Sequence, residues 1–299
     1  RCFCDNCLIP ELRKYLIHDN GASLSGKGIS FTRRRFEQHL HEYYRKYGTN
    51  EGYILLIDFS KYYDNIRHDK LMEAIVKHIH DPRELWLLSK ILDNFKVDVS
   101  YLNDEMYKNC LNMKFNGEKQ SRLNPKYLTG QKFMAKSLAI GDQVSQICSV
   151  YFPTRIDNYC KIVRSIRWYG RYMDDSYIIS NDKQFLHEIL DKITQIASEL
   201  GIFINHKKTH IMKINHFFTW LKLRYKLTET GHLVIKVNPK TVTRERRKLK
   251  KYRKMVDQGR MPLIDVQNSF KSWLGTYDKL LSYRTKSSMK ALYTDLFER

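Results

Sequence analysis

The sequence has no run of about 18 or more apolar residues, so it does not predict a helix that spans a bilayer. It also shows no signal peptide, internal repeat or flexible linker. Of its six cysteines, three cluster as Cys2, Cys4 and Cys7, but no second cluster supplies the fourth ligand that a zinc site needs. We therefore expect reduced thiols of an intracellular protein. The first residue is Arg1, so we expect sequence upstream of it to be missing.

The charge is strongly one-sided. The 299 residues include 53 Lys and Arg against 32 Asp and Glu, a net charge of +21. A surplus of this size predicts a polyanionic partner, either nucleic acid or an anionic membrane surface. The sequence lacks a basic amphipathic helix with bulky apolar residues on its opposite face, which argues against the membrane.

Periodic apolar residues predict a mixed α/β body. Phe36–Tyr47 has the spacing of a helix, and Tyr53–Ile57 reads as a short buried strand with Asp58 at its end. Residues from about 68 to 93 read as helix, and 185–200 as an amphipathic helix that Gly201 ends.

Short strands are expected after this helix, and the chain then returns to helix. The segments "IFIN", "HIMKI" and "FFTWLKLRYKL" read as strands, and "TETG" predicts a hairpin turn before "HLVIK". The last sixty or so residues form an all-helical tail that opens with the basic run "TRERRKLKKYRK".

Two adjacent aspartates, Asp174 and Asp175, stand between strand-like runs in "SIRWYGRYMDDSYIIS". Neighbouring carboxylates repel each other, a cost that a bound cation removes. Two divalent ions about 3.5 to 4 Å apart, held by carboxylates, are what polymer-forming phosphoryl transfer requires. Together with Asp58 at the end of an earlier strand, the pair predicts such a site, although a solvated hairpin tip is the simpler alternative.

Several motifs stand in the order found in reverse transcriptases. "LLIDFSKYYDNIRHDKL" resembles their first aspartate motif, "SLAIGDQVSQ" the next palm motif, and "YMDD" their catalytic signature. "GIFINHKKT" and "FTWLKLRYKL" resemble a further palm motif and the primer-grip hairpin, and "FKSWLGTY" resembles a thumb motif of bacterial enzymes. The resemblance extends from about Asn20 to Tyr277.

The middle motif bears on the subfamily. Group II intron and retron enzymes usually have Pro-Gln-Gly where this chain has Ala139-Ile140-Gly141. The motifs "IG…SQ", "RYMDD" and "SW.G" resemble more closely those of enzymes of diversity-generating retroelements. Since the family's Gln packs near the incoming base pair, Ile140 implies an error-prone polymerase. Other bacterial enzymes, including phage-defence types, stay open as alternatives.

The resemblance implies an α+β right-hand polymerase. Fingers would span 1–50, incomplete at the N-terminus, and a palm of antiparallel sheet backed by helices would span 51–238. A fingers or helical insertion is expected at about 76–135, and a helical thumb at 239–299.

The resemblance also implies the chemistry. Asp58, Asp174 and Asp175 would be catalytic, with Asp58 and Asp174 holding two Mg²⁺ ions and Asp175 next to the primer end. The backbone carbonyl of Phe59 would add a ligand, and Mn²⁺ is an alternative metal. We expect Asp64 to cap a helix instead.

Further residues match the family's substrate contacts. Tyr63 matches the aromatic steric gate against a ribose 2′-OH, with core packing as the alternative. Lys208 lies where the family places a lysine near the triphosphate, with Lys207 as a rival and a solvated lysine as the alternative. The family's usual Arg in the fingers is Leu24 here, for which the neighbouring cations would compensate. The predicted substrate-binding residues are Tyr63, Ile140, Gly141, Gln143, Lys208, Lys27 and Arg33.

The basic run after the primer-grip hairpin predicts a thumb helix that contacts the duplex backbone through phosphates, with a solvated face as the alternative. Tyr172 and Met173 would lie under the primer terminus and the templating pair. The predicted nucleic-acid-binding residues are Tyr172, Met173, Trp220, Arg244, Arg247, Lys250, Lys251, Lys254 and Trp273.

The sequence thus predicts an RNA-directed DNA polymerase that extends a primer with dNTPs on an RNA template, in the cytoplasm of a bacterial or phage-infected cell. Its further expected partners are an accessory protein and a structured RNA, with no membrane. Template-independent or protein-primed DNA synthesis, and a non-catalytic nucleic-acid scaffold, are the alternatives. A scaffold would be expected to lose an aspartate, whereas all three are present.

Overall fold

The computed structural model describes residues 1–120 and 122–298. These residues form helices and short antiparallel strands in two compact units, one of 1–47 and 52–213 and the other of 48–51 and 214–299.

The helices are α1 (Ile9–Leu12), α2 (Ile29–Tyr47), α3 (Tyr62–Asn65), α4 (His68–Ile75), α5 (Pro82–Asp93), α6 (Asp104–Asn112), α7 (Gly117–Gln120), α8 (Gln143–Tyr151), α9 (Thr154–Asn158), α10 (Lys183–Leu200), α11 (Pro239–Asp257), α12 (Leu263–Tyr277) and α13 (Tyr283–Phe297). π-Helical turns occur at Cys4–Leu8 and Tyr159–Val163, and 3-10 turns at Arg13–Tyr15 and Pro125–Tyr127.

The strands are β1 (Tyr53–Ile57), β2 (Val97–Asp98), β3 (Phe133–Met134), β4 (Tyr169–Tyr172), β5 (Asp175–Ser180), β6 (His210–Lys213), β7 (Phe218–Trp220), β8 (Leu223–Leu227) and β9 (Leu233–Val237).

The larger unit is built on an antiparallel sheet of order β4-β5-β1-β6. Side chains alternate along β1, so Leu55 and Ile57 join the main core with apolar residues of α4, α8 and α10. Helix α2 lies against the sheet, where the Phe36 ring meets the Tyr177 ring at 4.7 Å. The sheet is therefore buried between helices, which accounts for the short continuous apolar strands.

The smaller unit joins the sheet β7-β8-β9 to the helices α11, α12 and α13. The predicted α+β class, with antiparallel sheets backed by helices and a helical C-terminal region, is confirmed. The two units divide the chain near the predicted palm and thumb, but the predicted fingers, palm and thumb boundaries stay a prediction.

Three local expectations need correction. The stretch from 68 to 93 is two helices, because Asp81 accepts a hydrogen bond from the Arg83 amide and starts a new helix at Pro82. The single strand expected over "FFTWLKLRYKL" is two strands, since Leu221 and Lys222 both adopt the left-handed conformation of a two-residue turn, and the hairpin that the resemblance implied there is present. "IFIN" contributes only a bridge between Ile204 and Phe59. The predicted cap at Gly201 and the turn at "TETG" are confirmed.

None of the helices in residues 1–120 and 122–298 is both long and apolar enough to cross a membrane. The six cysteines are all free thiols.

A buried polar cluster joins α2 to the sheet. The Asp19 carboxylate accepts from Arg35 Nε at 2.7 Å and from Lys161 Nζ at 2.8 Å. The His39 ring lies between this carboxylate and the Tyr177 hydroxyl, which is 2.9 Å from Nδ1. Burial, with the Arg35 and Lys161 cations, lowers the pKa of His39 to about 4, although Asp19 opposes the shift. The histidine is therefore neutral in the fold.

This cluster predicts a loss of stability in acid. A histidine whose folded pKa lies below its ordinary 6.5 contributes stability above that pH, and the stability is lost as the pH falls toward 4. The contribution of His39 to the free energy of unfolding should drop by about 2 kcal/mol between pH 7 and pH 5, whereas Asp175, whose pKa is raised to about 7, contributes in the opposite direction over the same range. In urea titrations, wild type should therefore lose about 2 kcal/mol between pH 7 and pH 5 relative to His39→Asn, which keeps an acceptor for Tyr177. His41→Asn, at an exposed position of the same helix, is the control and should keep the wild-type slope.

Candidate active site

The two aspartates lie at a tight turn between β4 and β5. Tyr172 pairs with Asp175, so Met173 and Asp174 form the two-residue connection. Met173 has φ of 55°, a left-handed conformation that a non-glycine residue adopts at a cost. The carboxylates are thus fixed by a hairpin whose backbone is constrained.

Strand β1 brings the third carboxylate to the same place. Its register pairs Ile57 with Ser176, so continuing the pairing by one residue sets Asp58 opposite Asp175. The sequence prediction that a strand end and a neighbouring hairpin would unite these three residues is confirmed in its geometry.

Two of the carboxylates have raised pKa values. Burial, together with the charges of Asp174 and Asp58, raises the pKa of Asp175 to about 7, against a lowering by Lys208. The pKa of Asp174 is raised as well, first by burial and then by Asp58. The site therefore concentrates negative charge that a cation would stabilise.

A turn after α10 holds Asp58 on its other side. Asn205 Nδ2 donates to Asp58 Oδ1 at 2.8 Å, and the Asn205 amide donates to the Asp58 carbonyl at 2.8 Å. Lys208 Nζ lies 3.1 Å from Asp58 Oδ2, and Thr209 Oγ1 accepts from the Asp58 amide at 3.3 Å. Sequence reasoning identified Lys208 but missed Asn205, although both stand in "INHKKT".

The turn at Met173 and Asp174 rests on a buried ion pair that sequence reasoning also missed. Arg171 and Asp157 are 1% and 0% exposed, with Nη2 and Oδ2 2.6 Å apart. The same guanidinium donates from Nη1 to the Met173 carbonyl at 2.9 Å and from Nη2 to the Val150 carbonyl at 2.8 Å. Arg171 therefore ties the strained residue of the turn to α8 and α9.

The donor chemistry of the site fits a hard divalent cation, since it consists of carboxylates, two of which have pKa values raised by burial and by the neighbouring negative charges. In residues 1–120 and 122–298, however, no group of three or more His, Cys, Asp or Glu side chains is arranged to hold a metal ion. Asp58 is engaged by the Lys208 ammonium and the Asn205 amide. Metal ligation by Asp58, Phe59, Asp174 and Asp175 stays a prediction.

Tyr63 lies beside the turn at Met173 and Asp174. Its hydroxyl accepts from Ser149 Oγ at 2.9 Å and donates to Met173 Sδ at 3.9 Å. The ring is only partly buried, so packing in the core does not fully account for it. This position is compatible with the predicted gate, which stays a prediction.

The loop before α8 presents Ile140 to solvent, where its side chain is 84% exposed. Gly141 follows with φ of 100°, a conformation that favours glycine. Gln143 is turned to the N-terminal segment, because its Nε2 donates to Asp5 Oδ1 at 2.8 Å. The structure therefore leaves Ile140 accessible to a ligand and gives Gln143 an intramolecular partner.

The predicted fingers cations are partly committed within the fold. Lys27 Nζ donates to the carbonyls of His18 and Asn20 at 2.7 and 3.1 Å. Arg33 lies on α2, where its charge acts on Glu37. Leu24, which replaces the family's usual Arg, is buried in the main core. At this position, core packing of an apolar side chain therefore replaces the arginine.

Asp64 lies within α3, which Lys61 precedes, so the expected N-cap is wrong. Its Oδ2 instead accepts from the Gly117 amide at 3.0 Å, while Lys61 pairs with Glu118. Asp64 thus anchors the segment at 115–118, which belongs to the expected insertion, next to the turn after Asp58.

Helix α11 separates its cations into two sets. Arg246, Lys248 and Arg253 bond to α12 or α13, through Ser288, Ser269 and the Leu296 carbonyl respectively. At 100° per residue, the five predicted contacts fall within an arc of about 120° on another face. All five are exposed, and none forms an ion pair within the described part of the chain: Arg244, Arg247, Lys250, Lys251 and Lys254.

The two predicted tryptophans are buried. Trp220 lies in the sheet of the smaller unit, and Trp273 stacks with Phe270 on α12. Packing accounts for both side chains, and their predicted nucleic-acid contacts stay predictions.

The strand-borne triplet of carboxylates on an antiparallel sheet is the arrangement that the resemblance in the sequence implied. The sequence profile of the reverse transcriptase (RNA-dependent DNA polymerase) family matches residues 25–242. The chain therefore belongs to this family.

Solved structures of telomerase are similar at low identity. A Candida albicans telomerase in complex with a fragment of telomeric RNA has a TM-score of 0.47 and 14% identity, over 78% of this chain and 36% of that one. A Candida tropicalis apo telomerase without its C-terminal domain has a TM-score of 0.44 and 16% identity, over 71% of this chain and 40% of that one. The chain thus spans less than half the length of these proteins. No curated protein matches it.

Replacing Arg171 should separate its effects on stability and on the site. Arg171→Met leaves the Asp157 carboxylate buried and unpaired, which we expect to cost about 3 to 5 kcal/mol in the free energy of unfolding. Adding Asp157→Asn removes that charge and should recover most of the loss in urea titrations.

Nucleotide incorporation should stay low in the double variant, because the Met173 carbonyl has lost its donor in both proteins. If activity returns together with stability, Arg171 only stabilises the fold and does not position the turn.

Proposed function

We propose that this protein is an RNA-directed DNA polymerase that adds dNTPs to a primer 3′-OH. The observation that carries the proposal is the register that sets Asp58 opposite Asp175, beside the turn that holds Asp174. Membership of the reverse transcriptase family supports the reaction. Burial, with the neighbouring carboxylate charges, raises the pKa values of Asp174 and Asp175, as expected of a site that works with cations.

Two Mg²⁺ ions, or Mn²⁺ in their place, would neutralise charge on the attacking and the leaving oxygen. Asp58 and Asp174 would hold them with the Phe59 carbonyl, and Asp175 would lie next to the primer end. Asn205 orients the Asp58 carboxylate through its 2.8 Å hydrogen bond. The mobile ammonium of Lys208, already at this carboxylate, is suited to neutralise or protonate the leaving pyrophosphate.

We assign contacts with the substrate to residues of the larger unit and contacts with the duplex to α11 of the smaller one. The partly exposed ring of Tyr63 would exclude a ribose 2′-OH, and Tyr172 and Met173 would face the primer terminus. The exposed cations of α11 extend over about 15 Å of helix, which suits contact with successive phosphates and carries no base specificity.

The finer assignment rests on the middle motif. With Ile140 exposed in place of the family's usual Gln, a weaker check of base geometry and an error-prone enzyme of a bacterial or phage retroelement are proposed. An accessory protein and a structured RNA would be its partners in the cytoplasm.

Removing one carboxylate should abolish the chemistry while the fold survives. We expect Asp174→Asn to reduce Mg²⁺-dependent primer extension on poly(rA)–oligo(dT) by about 10³-fold, since several kcal/mol of charge stabilisation are lost. Asp191→Asn, the same change at an exposed position of α10, is the control and should retain activity.

The products distinguish the alternatives. Sequencing them would test the proposed error rate, and synthesis without template would assign the protein to template-independent enzymes. If wild type and Asp174→Asn both bind duplex but neither synthesises DNA, that result would contradict the polymerase proposal and favour the scaffold.

The gate can be tested by sugar selection. Tyr63→Ala should raise incorporation of ribonucleotides relative to deoxyribonucleotides by roughly 10- to 100-fold, because a steric block of a few atoms is removed. Tyr63→Phe keeps the ring and loses only the hydroxyl that bonds Ser149 and Met173, so it should keep wild-type selectivity. Equal selectivity in all three proteins would exclude the gate.

A further inference from the structure

A basic and aromatic cleft lies at the end of β4 that is remote from the catalytic turn. Trp168 directly precedes β4, and its carbonyl accepts from the Ile179 amide at 3.0 Å. At about 3.3 Å per residue, Trp168 is some 13 Å along the strand from Tyr172, with the catalytic aspartates farther still. The cleft is therefore not part of the site already described.

The cleft has a volume of about 280 Å³ and is open to solvent on one side. Five residues from α2 and from the start of β4 line it: Glu42, Arg45, Lys46, Arg167 and Trp168. Three cations thus face one carboxylate, and that carboxylate is already in use. Glu42 accepts from Arg167 Nε at 3.1 Å and from the Trp168 indole at 3.4 Å.

Two cations remain for a ligand. Neither Arg45 nor Lys46 forms an ion pair in residues 1–120 and 122–298. The Lys46 ammonium lies 5.2 Å from the centre of the Tyr47 ring and 5.5 Å from that of Trp168. The aromatic faces hold the charge in place without neutralising it.

Cations at the last turn of α2 would stabilise the helix end by themselves, since carbonyls there carry partial negative charge. That explanation does not account for the residues that the start of β4 contributes to the cleft. Arg167 and Trp168 come from a segment more than a hundred residues later, and with α2 they form a concave wall.

We propose that this cleft binds the phosphate backbone of single-stranded RNA, at a second site outside the polymerase centre. Phosphate oxygens match the guanidinium of Arg45 and the ammonium of Lys46. Tyr47, 36% exposed beside them, offers a ring on which a base can stack. An acidic peptide would use the cations but not the ring, so the aromatic wall favours RNA.

The proposal goes beyond the polymerase activity and can be measured without it. A short primer–template is added in excess to occupy the polymerase centre, and a labelled, unpaired 12-nucleotide RNA is titrated by fluorescence anisotropy at several salt concentrations. The double variant Arg45→Glu with Lys46→Glu is compared with Lys77→Glu with Lys192→Glu, an equal charge change at exposed positions outside the cleft.

We expect the cleft variant to bind the RNA at least 10-fold more weakly at 0.1 M salt. The slope of log Kd against log salt should fall by about 1.4, because two phosphate contacts to a single strand are lost. The control variant should stay within about twofold of wild type. Extension of the short primer–template should be unchanged in both variants, so a failure of the polymerase proposal would show separately.

Tyr47→Leu tests the ring. It should weaken RNA binding with the salt slope unchanged, since stacking carries no counterion release. Equal losses in the cleft and control variants would mean that binding follows net charge alone and would overturn the proposal. Competition by polyglutamate as strong as that by RNA of equal charge would overturn the assignment to RNA.

Discussion

A guanidinium and a carboxylate that are both removed from water, those of Arg171 and Asp157, connect four segments of the larger unit. The pair joins β4 to α9, and the remaining donors of Arg171 satisfy the carbonyls of Val150 on α8 and Met173 in the catalytic turn. The backbone of Arg171 also bonds to the Asp19 carbonyl and the Gly21 amide. A buried ion pair adds little net stability, but it is costly to break, so it specifies one arrangement of these segments.

That arrangement fixes the positions of the three carboxylates. Met173 is held in a left-handed conformation. This conformation makes the hairpin tight and sets Asp174 and Asp175 at its turn. The sheet then sets Asp58 against them. Repulsion among these carboxylates is offset by Lys208, whose 65% exposed ammonium reaches Asp58 from a turn that Asn205 holds. An exposed lysine can move away at low cost, whereas the buried Arg171 cannot, so the two cations have different functions beside the same carboxylates.

The sequence predicted those features that depend on local pattern. The apolar run of β1, the amphipathic α10 with Gly201 at its end, and the meeting of Asp58 with Asp174 and Asp175 follow from periodicity and motif order. The boundary between α4 and α5 was missed, although Pro82 marks it, because a residue before proline avoids the helical conformation.

Long-range polar partners were not predictable in this way. Nothing near Asp157 in the sequence marks it as the partner of Arg171, and Gln143 gave no sign of its contact with Asp5. Leu24 replaces an arginine because its backbone position faces the core, which only the packing reveals. Such pairs depend on which elements the topology brings together, so pattern and motif order do not contain them.

The surplus of positive charge can be divided by burial. Cations withdrawn from water have carboxylate or carbonyl partners: Arg171 bonds to Asp157, Lys161 and Arg35 to Asp19, and Lys136 to the carbonyls of three residues from Cys110 to Met113. They hold the fold together and contribute little to the external field. The surplus that makes up the net +21 therefore resides on exposed surfaces, among them one face of α11 and the end of α2. Because exposed charges are screened by salt, binding of a polyanion to these faces must weaken as ionic strength rises, while the buried pairs that position the catalytic turn are affected far less.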